Sequence, residues 1–264
     1  MSVKTIRIFI NKLVRDKVVG KLEEEKITCV VHKMNIGEYL YFLKKKSLEE
    51  AKEIVRTKRK QELLEELADF FDVFEKIMKE YNISMLRIVE ESKKLKEILG
   101  GLSKKLFLVD IKDDSSLDLK TKSLYEKVSK RKEDRENGSY FIIQKLIFDN
   151  QVKQFESYNC KIETIEEKRF LYELKRMLVD VTRDILKTNN KNELINVLSK
   201  CFIVFNEILN EYNIPISKLI ELSNMKIIEN GSFEKKYLLK TIDLPQNHEK
   251  LKFYENYSKI EVVE

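Results

Sequence analysis

Two prolines and six glycines in 264 residues are too few for a turn-rich β fold. No run approaches the roughly 18 consecutive apolar residues of a membrane span, and the opening MSVKTIRIFINKL lacks a signal peptide's apolar core and small-residue cleavage site. The expectation is a cytoplasmic protein with no membrane partner. Cysteine is scarce: Cys29, Cys160 and Cys201 are odd in number and without CxxC spacing, so neither a disulfide framework nor a zinc site is indicated. The two histidines, His32 and His248, lie far apart and in no nucleophile or metal motif. Gly100-Gly101 lacks the GKS or GKT ending of a phosphate-cradling loop. Any chemistry must therefore come from carboxylates and amines.

These are abundant. Charged residues make up 36% of the chain and hydrophobic ones 42%, a mixture that suits helices with one apolar face. The 51 basic and 45 acidic residues give a net charge of +6, but they are interleaved, and the aromatics are spread along apolar helical faces. Single-strand nucleic-acid binding would instead set aromatic platforms in a basic groove, which argues against such a partner. Helical periodicity runs from Tyr39 to Val55, from Glu62 to Tyr81 and from Met85 to Leu99, where the double glycine supplies a stop. TIRIFI and ITCVVH are short β-branched runs, readable as extended segments or a small hairpin.

The pattern then repeats. EYNI at 80–83 recurs at 211–214, and YLYFLKKKSLEEAKEIV (39–55) aligns with FLYELKRMLVDVTRDIL (170–186), both at an offset of 131. INKLVRD (10–16) resembles IQKLIFD (143–149) at 133, and GLSKKLFL (101–108) resembles SFEKKYLL (232–239) at 131. One offset across several segments argues for tandem duplication. The expected organisation is a repeat at 1–110, a charged linker at 111–138 containing KRKEDRE, a second repeat at 139–243 and a tail at 244–264. The expected fold class is mainly α: two helical repeats packed as a pseudo-dimeric bundle, with short extended segments at the start of each.

On the second helix Glu62, Glu65, Glu66, Asp69 and Asp72 recur at steps of three and four, forming an acidic stripe beside Leu63, Leu67, Phe70, Phe71, Phe74 and Ile77. The stripe contains no compensating lysine, and like charges at these spacings cost a few tenths of a kcal/mol per pair. An antiparallel neighbour could bring Glu50 and Glu53 opposite Glu66 and Asp69. Four convergent carboxylates suit Mg²⁺, with Mn²⁺ as an alternative, because a hard dication takes oxygen ligands and shares its site with substrate phosphates. A solvated acidic face on two surface helices is the competing reading.

Taken together, NKLVRDKV (11–18), LEEAKE (48–53), LLEELADFFDVFEKI (63–77), the YNIS that follows and GGLSKKLFL (100–108) resemble the MazG-like, all-α nucleoside triphosphate pyrophosphohydrolases, above all the phosphoribosyl-ATP pyrophosphohydrolase-like branch. That family's ExxE and ExxD pattern falls on Glu50, Glu53, Glu66 and Asp69. The resemblance implies Mg²⁺-dependent hydrolysis of a nucleotide substrate between its α and β phosphates, with Glu50 or Glu53 as the base. It also implies Lys12, Arg15, Lys104 and Lys105 as phosphate-binding cations, and pairing of helices between subunits, here within one chain, with further homo-oligomerisation open. Asn11 and Asp16 could instead brace the first turn. A non-catalytic nucleotide-sensing or protein-interaction module is the alternative, and a nucleic-acid scaffold using KRKEDRE a weaker third.

At the offset of 131 the second repeat carries Val181, Asp184, Val197 and Lys200 at the four acidic positions. Two valines and a lysine cannot hold a hard dication, so one metal site per chain is expected, with Lys200 approaching Asp184 to replace the lost metal's charge. Leu194, Val197, Leu198, Phe202, Phe205, Ile208 and Leu209 keep the apolar face. Residues of the second repeat could also reach a nucleotide held by the first.

Overall fold

The computed structural model describes residues 5–155, 157–188, 190–254 and 260–263; the first four residues, and 255–259 and 264 of the expected tail, lie outside the described residues. Eighteen α and β elements follow in order. They are β1 (Thr5–Val14), α1 (Val18–Glu24), β2 (Thr28–Lys33), α2 (Ile36–Arg56), α3 (Lys60–Glu80), α4 (Met85–Leu99), β3 (Leu106–Lys112), α5 (Leu119–Val128) and β4 (Arg131–Arg135). Then come β5 (Gly138–Leu146), α6 (Val152–Phe155), β6 (Cys160–Thr164), α7 (Glu167–Lys187), α8 (Lys191–Glu211), α9 (Ile216–Asn230), β7 (Tyr237–Pro245), α10 (Leu251–Tyr254) and β8 (Ile260–Val263). The long helices lie where the apolar period places them. The mainly α expectation is nevertheless wrong: two four-stranded antiparallel sheets, ordered β2-β7-β1-β8 and β4-β5-β3-β6, make this an α/β mixture. The 111–138 stretch is not a bare linker either, since it completes β3 and supplies α5 and β4.

Two compact units divide the chain, the first formed by residues 1–50, 64–80 and 216–264, the second by 51–63 and 81–215. Neither coincides with a sequence repeat. In the first, TIRIFI and ITCVVH do form strands but not a hairpin with each other: β1 and β2 both pair with β7, which comes from the second repeat. Ile6, Ile8 and Ile10 alternate inward from β1 and meet Leu239, Ile242 and Leu244 of β7 and Leu22 of α1. A bulge between Phe9 and Lys12 then resets the alternation so that Leu13 is buried. Asn11 sits in it at φ +48°, a conformation that asparagine tolerates better than most non-glycine residues.

The second unit mirrors this with the repeats interchanged. Its sheet centres on β3 and β5; β3 belongs to the first repeat, while β5, β6, α7 and α8 belong to the second. Leu108, Ile111, Phe141, Ile143 and Ile147 form its sheet core. Each unit thus takes its closing strand from the other repeat, and the backbone shows the correspondence residue by residue. Gln144 answers Asn11 with φ +50°, Asn213 answers Asn82 with both at +50°, and Lys236 (+56°) answers Lys105 (+53°). Asp16 N–H donates to Ser232 O at 2.8 Å, and Asp149 N–H donates to Gly101 O at 2.9 Å. Lys105 lies over the Phe170 ring at 5.1 Å and Lys236 over the Tyr39 ring at 5.3 Å, each pair joining segments of different repeats.

The joint after α9 depends on a glycine. Gly231 has φ +79°, and a Cβ there would come within 2.9 Å of Asp16 Cβ and 3.1 Å of the Lys17 nitrogen. Asp16 in turn accepts the Lys235 N–H at 2.7 Å and the Glu234 N–H at 3.2 Å, so it braces the entry to β7 rather than the first turn of α1. Gly231→Ala combines left-handed strain with a backbone clash and should cost about 1–3 kcal/mol, read as a lower thermal midpoint. An unchanged midpoint would show that this joint bears no load.

Candidate metal centre

Only part of the acidic stripe of α3 faces inward within the first unit: Glu66 and Asp69 are half-buried and Asp72 is buried, whereas Glu65 is exposed and Glu62 turns back to Arg59. Carboxylate oxygens of Glu50, from α2, and of Glu66 and Asp69, from α3, lie within 4.8 Å of one another. They adjoin a cavity of about 350 Å³ lined by residues that include Lys12 from β1, Arg15 just after it, Lys46, Glu49 and Glu50 from α2, Asp69 from α3 and Phe233 from the loop before β7. The ligand positions are set by elementary helix geometry. Glu66 and Asp69 are three residues apart and share a face of α3, while the hydrophobic face holding Leu67, Phe70 and Phe74 fixes its rotation.

The cations missing from the stripe come from elsewhere. Arg15 spans two α3 carboxylates, with Nη2 3.0 Å from Asp69 Oδ1 and Nη1 2.5 Å from Asp72 Oδ2. It is held from behind by the Gly231 carbonyl at 3.2 Å and by the Phe233 ring, whose centroid is 4.9 Å from the guanidinium. Lys226 of α9 reaches the other Asp69 oxygen at 2.5 Å and donates to the Glu65 carbonyl at 3.0 Å. Lys46 lies 2.6 Å from Glu50 and 3.3 Å from Glu49, which also takes Lys12 at 2.5 Å.

Burial dominates the titration of this cluster. It pushes the Glu50 carboxyl above the ordinary range, with Lys46 pulling the other way, and it likewise raises Asp72 against the opposing Arg15. Burial also works against the charge of Glu49, but Lys46 and Lys12 outweigh it and hold that carboxyl low. Lys12, Arg15, Lys46 and Lys226 thus tie Glu49, Glu50, Asp69 and Asp72 from outside the stripe. With three hard oxygen donors within reach of one point, the residues fit a dication, whose arrival would free the amines and guanidinium to face phosphate.

The residues expected from sequence separate into two groups. Lys12, Arg15, Glu50, Glu66 and Asp69 are brought together in the first unit. Glu53 is not in the carboxylate cluster; it pairs with Arg56 at 2.6 Å on the last turn of α2. Lys104 and Lys105 are built into the second unit, because the strand that follows them pairs with β5. Lys104 N–H donates to Asp149, and the Lys105 ammonium is taken by Glu167. Lys235 and Lys236 occupy the corresponding places in the first unit. Lys46, Lys226 and Phe233 are functional candidates that spacing did not single out. For Phe233 the signal was SFEKKYLL itself, which the structure places in the first unit; Lys226, on α9, lies outside that segment.

Lys200 and Asp184 line one cavity but form no ion pair: Asp184 takes Lys187 at 2.7 Å, and the Lys200 ammonium lies over the Phe148 ring at 5.7 Å. The expected contact between Lys200 and Asp184 is therefore not made as an ion pair: Asp184 is taken by Lys187, one turn along α7, and acts on Lys200 only at longer range. No helix among the described residues is long and apolar enough to cross a membrane. No family model, curated protein or solved structure matches the chain.

Proposed function

We propose that the first unit is a Mg²⁺-dependent nucleotide pyrophosphohydrolase, splitting a nucleoside triphosphate or related nucleotide into monophosphate and pyrophosphate, as the likeness of its motifs to MazG-like enzymes implies. One observation carries this reading: three carboxylates gathered within 4.8 Å beside a cavity whose other walls present Lys12 and Arg15. Bound to Glu50, Glu66 and Asp69, the metal would offset charge on the phosphates and acidify a water. Lys12 is suited to meet the polyphosphate as a point charge, and Arg15 as a fork once Asp69 turns to the metal. Phe233 offers an aromatic face at the cavity wall. Of the two candidate bases Glu50 is the better placed, because it lies in the carboxylate cluster at the cavity while Glu53 pairs with Arg56 outside it.

The experiment is incubation of the full chain with a panel of nucleoside triphosphates and Mg²⁺, following pyrophosphate and monophosphate together. Equal amounts of both, abolished by EDTA and restored by Mg²⁺ or Mn²⁺, are expected. Release of orthophosphate instead would place the cleavage elsewhere and overturn the assignment. The ties already made by Lys46, Arg15 and Lys226 favour one second reading, a nucleotide sensor without turnover. Saturable Mg²⁺-nucleotide binding with no product would select it.

A further inference from the structure

The cavity of the second unit has lost the carboxylate trio and gained a lysine in its place. It encloses about 460 Å³ and is lined by Lys145 and Leu146 of β5, Tyr125 of α5, Phe155 of α6, Met177, Asp180 and Val181 of α7, and Lys200 of α8, among others. It corresponds to the candidate metal centre, since Lys145 answers Lys12 at the offset of 133 and Asp180 answers Glu49 at 131. Their ion pair is kept, at 3.3 Å against 2.5 Å. The three metal-site carboxylates, however, have become Val181, Val197 and Lys200.

The other cations at and around the cavity have polar partners. Lys145 and Arg183 share Asp180, Arg176 lies 3.3 Å from the buried Glu173, Lys187 takes Asp184, and Lys130 donates to Gln144 Oε1 at 3.0 Å. Lys200 alone among these cations has no hydrogen bond or ion pair to a described residue; the Phe148 ring is its polar contact. Burial pulls its pKa below that of an ordinary lysine, with Asp184 opposing. Lys200 is half-buried at the cavity and has no ion-pair partner there, so its ammonium is available to an anion that enters the cavity. The walls beside it are apolar and aromatic, and the volume lies within the range of small-molecule sites.

We infer that this second cavity binds, without a metal, a small organic anion whose ring-bearing or apolar body lies against Tyr125, Phe155 and Met177 and whose single carboxylate, phosphate or sulfonate reaches Lys200. The site is independent of the proposed hydrolysis, since it uses none of the same residues. Adenosine monophosphate and anilinonaphthalene sulfonate serve as probes, titrated calorimetrically into the full chain in EDTA. At least one should bind with 1:1 stoichiometry; Lys200→Met should weaken it at least about tenfold, as loss of a charge-assisted contact does. Lys200→Arg should retain most of the affinity. Met177→Trp, which fills the cavity without touching the charge, should also abolish binding.

A structural lysine and a ligand-binding one differ in a second readout. Lys200→Met keeps the volume and removes a half-buried charge that has no ion-pair partner, so its ligand-free thermal midpoint should rise while its probe binding falls. If neither probe saturates at 1:1, if Lys200→Met binds as tightly as the parent chain, or if its midpoint drops, the inference is overturned. Asp69→Asn, in the other unit, should leave probe binding unaltered; its loss would place the probe at the first cavity and overturn the inference as well.

Discussion

Asp69→Asn should reduce metal-dependent pyrophosphate release by at least about a hundredfold, the scale on which a missing metal or proton-transfer group is felt. The substitution is nearly isosteric, so the loss is chemical. An amide offers the metal one neutral oxygen in place of a carboxylate, and it leaves Lys226 without its anionic partner. Arg15 keeps Asp72 and so stays in place. Part of the effect will appear as stability, about 1 kcal/mol for a half-buried ion pair reduced to a neutral contact, so the melt must be recorded beside the rate. Glu50→Gln and Glu66→Gln should fall as steeply. Glu53→Gln should remain within a few-fold of the parent, because Glu53 pairs with Arg56 and stands outside the carboxylate cluster. A variant set in which Glu53→Gln is dead and Asp69→Asn fully active would remove the centre described here. Turnover by Asp69→Asn that no longer responds to EDTA would point to a contaminating hydrolase.

Why some of this was legible in sequence and the rest was not follows from the physics of each element. Leu63, Leu67, Phe70, Phe74 and Ile77 repeat with the helical period whatever they pack on, so α3 and its twin α8 can be read locally. β1 hides its alternation, because the bulge at Asn11 moves the buried set from Ile6, Ile8 and Ile10 to Leu13. β7 is buried in adjacent pairs, Leu238 with Leu239 and Thr241 with Ile242, which resembles neither period. Its partners lie more than 200 residues away, beyond any local pattern. The acidic half of the centre was visible because acids on one helix must share a face. Of its basic half, Lys12 and Arg15 were reached through the motif resemblance, but Lys226, like the aromatic Phe233, was not, because both arrive from the second repeat. Nothing in the text distinguishes the two assignments: LFLVDIK and YLLKTIDLP have the same register at an offset of 131, and either could fill either slot.

That ambiguity has a measurable consequence. Cleaving the chain in the turn between β3 and α5, as fragments 1–115 and 116–264, leaves each piece without the inner strand of its own sheet. β1 and β2 in the first piece pair with β7 and not with each other, and β6 in the second pairs only with β3. Ile6, Ile8 and Ile10 would lose Leu239, Ile242 and Leu244, a core whose removal costs several kcal/mol and exceeds the stability of a typical small domain when counted side chain by side chain. Neither fragment alone should therefore be a cooperatively folded monomer. Mixed in equal amounts they should assemble 1:1, regain the parent's helical signal and melt in a concentration-dependent transition, because association now substitutes for the covalent link. The first fragment should also dimerise with itself, each copy lending LFLVDIK to the slot that YLLKTIDLP fills in the intact chain. Such a dimer would carry two complete Glu50, Glu66 and Asp69 sets but no Lys226, since leucine stands at the matching position 95. Light scattering after size exclusion distinguishes the outcomes. A folded monomer of residues 1–115 would mean that the strands can close without exchange, and the pairing described here would then be dispensable.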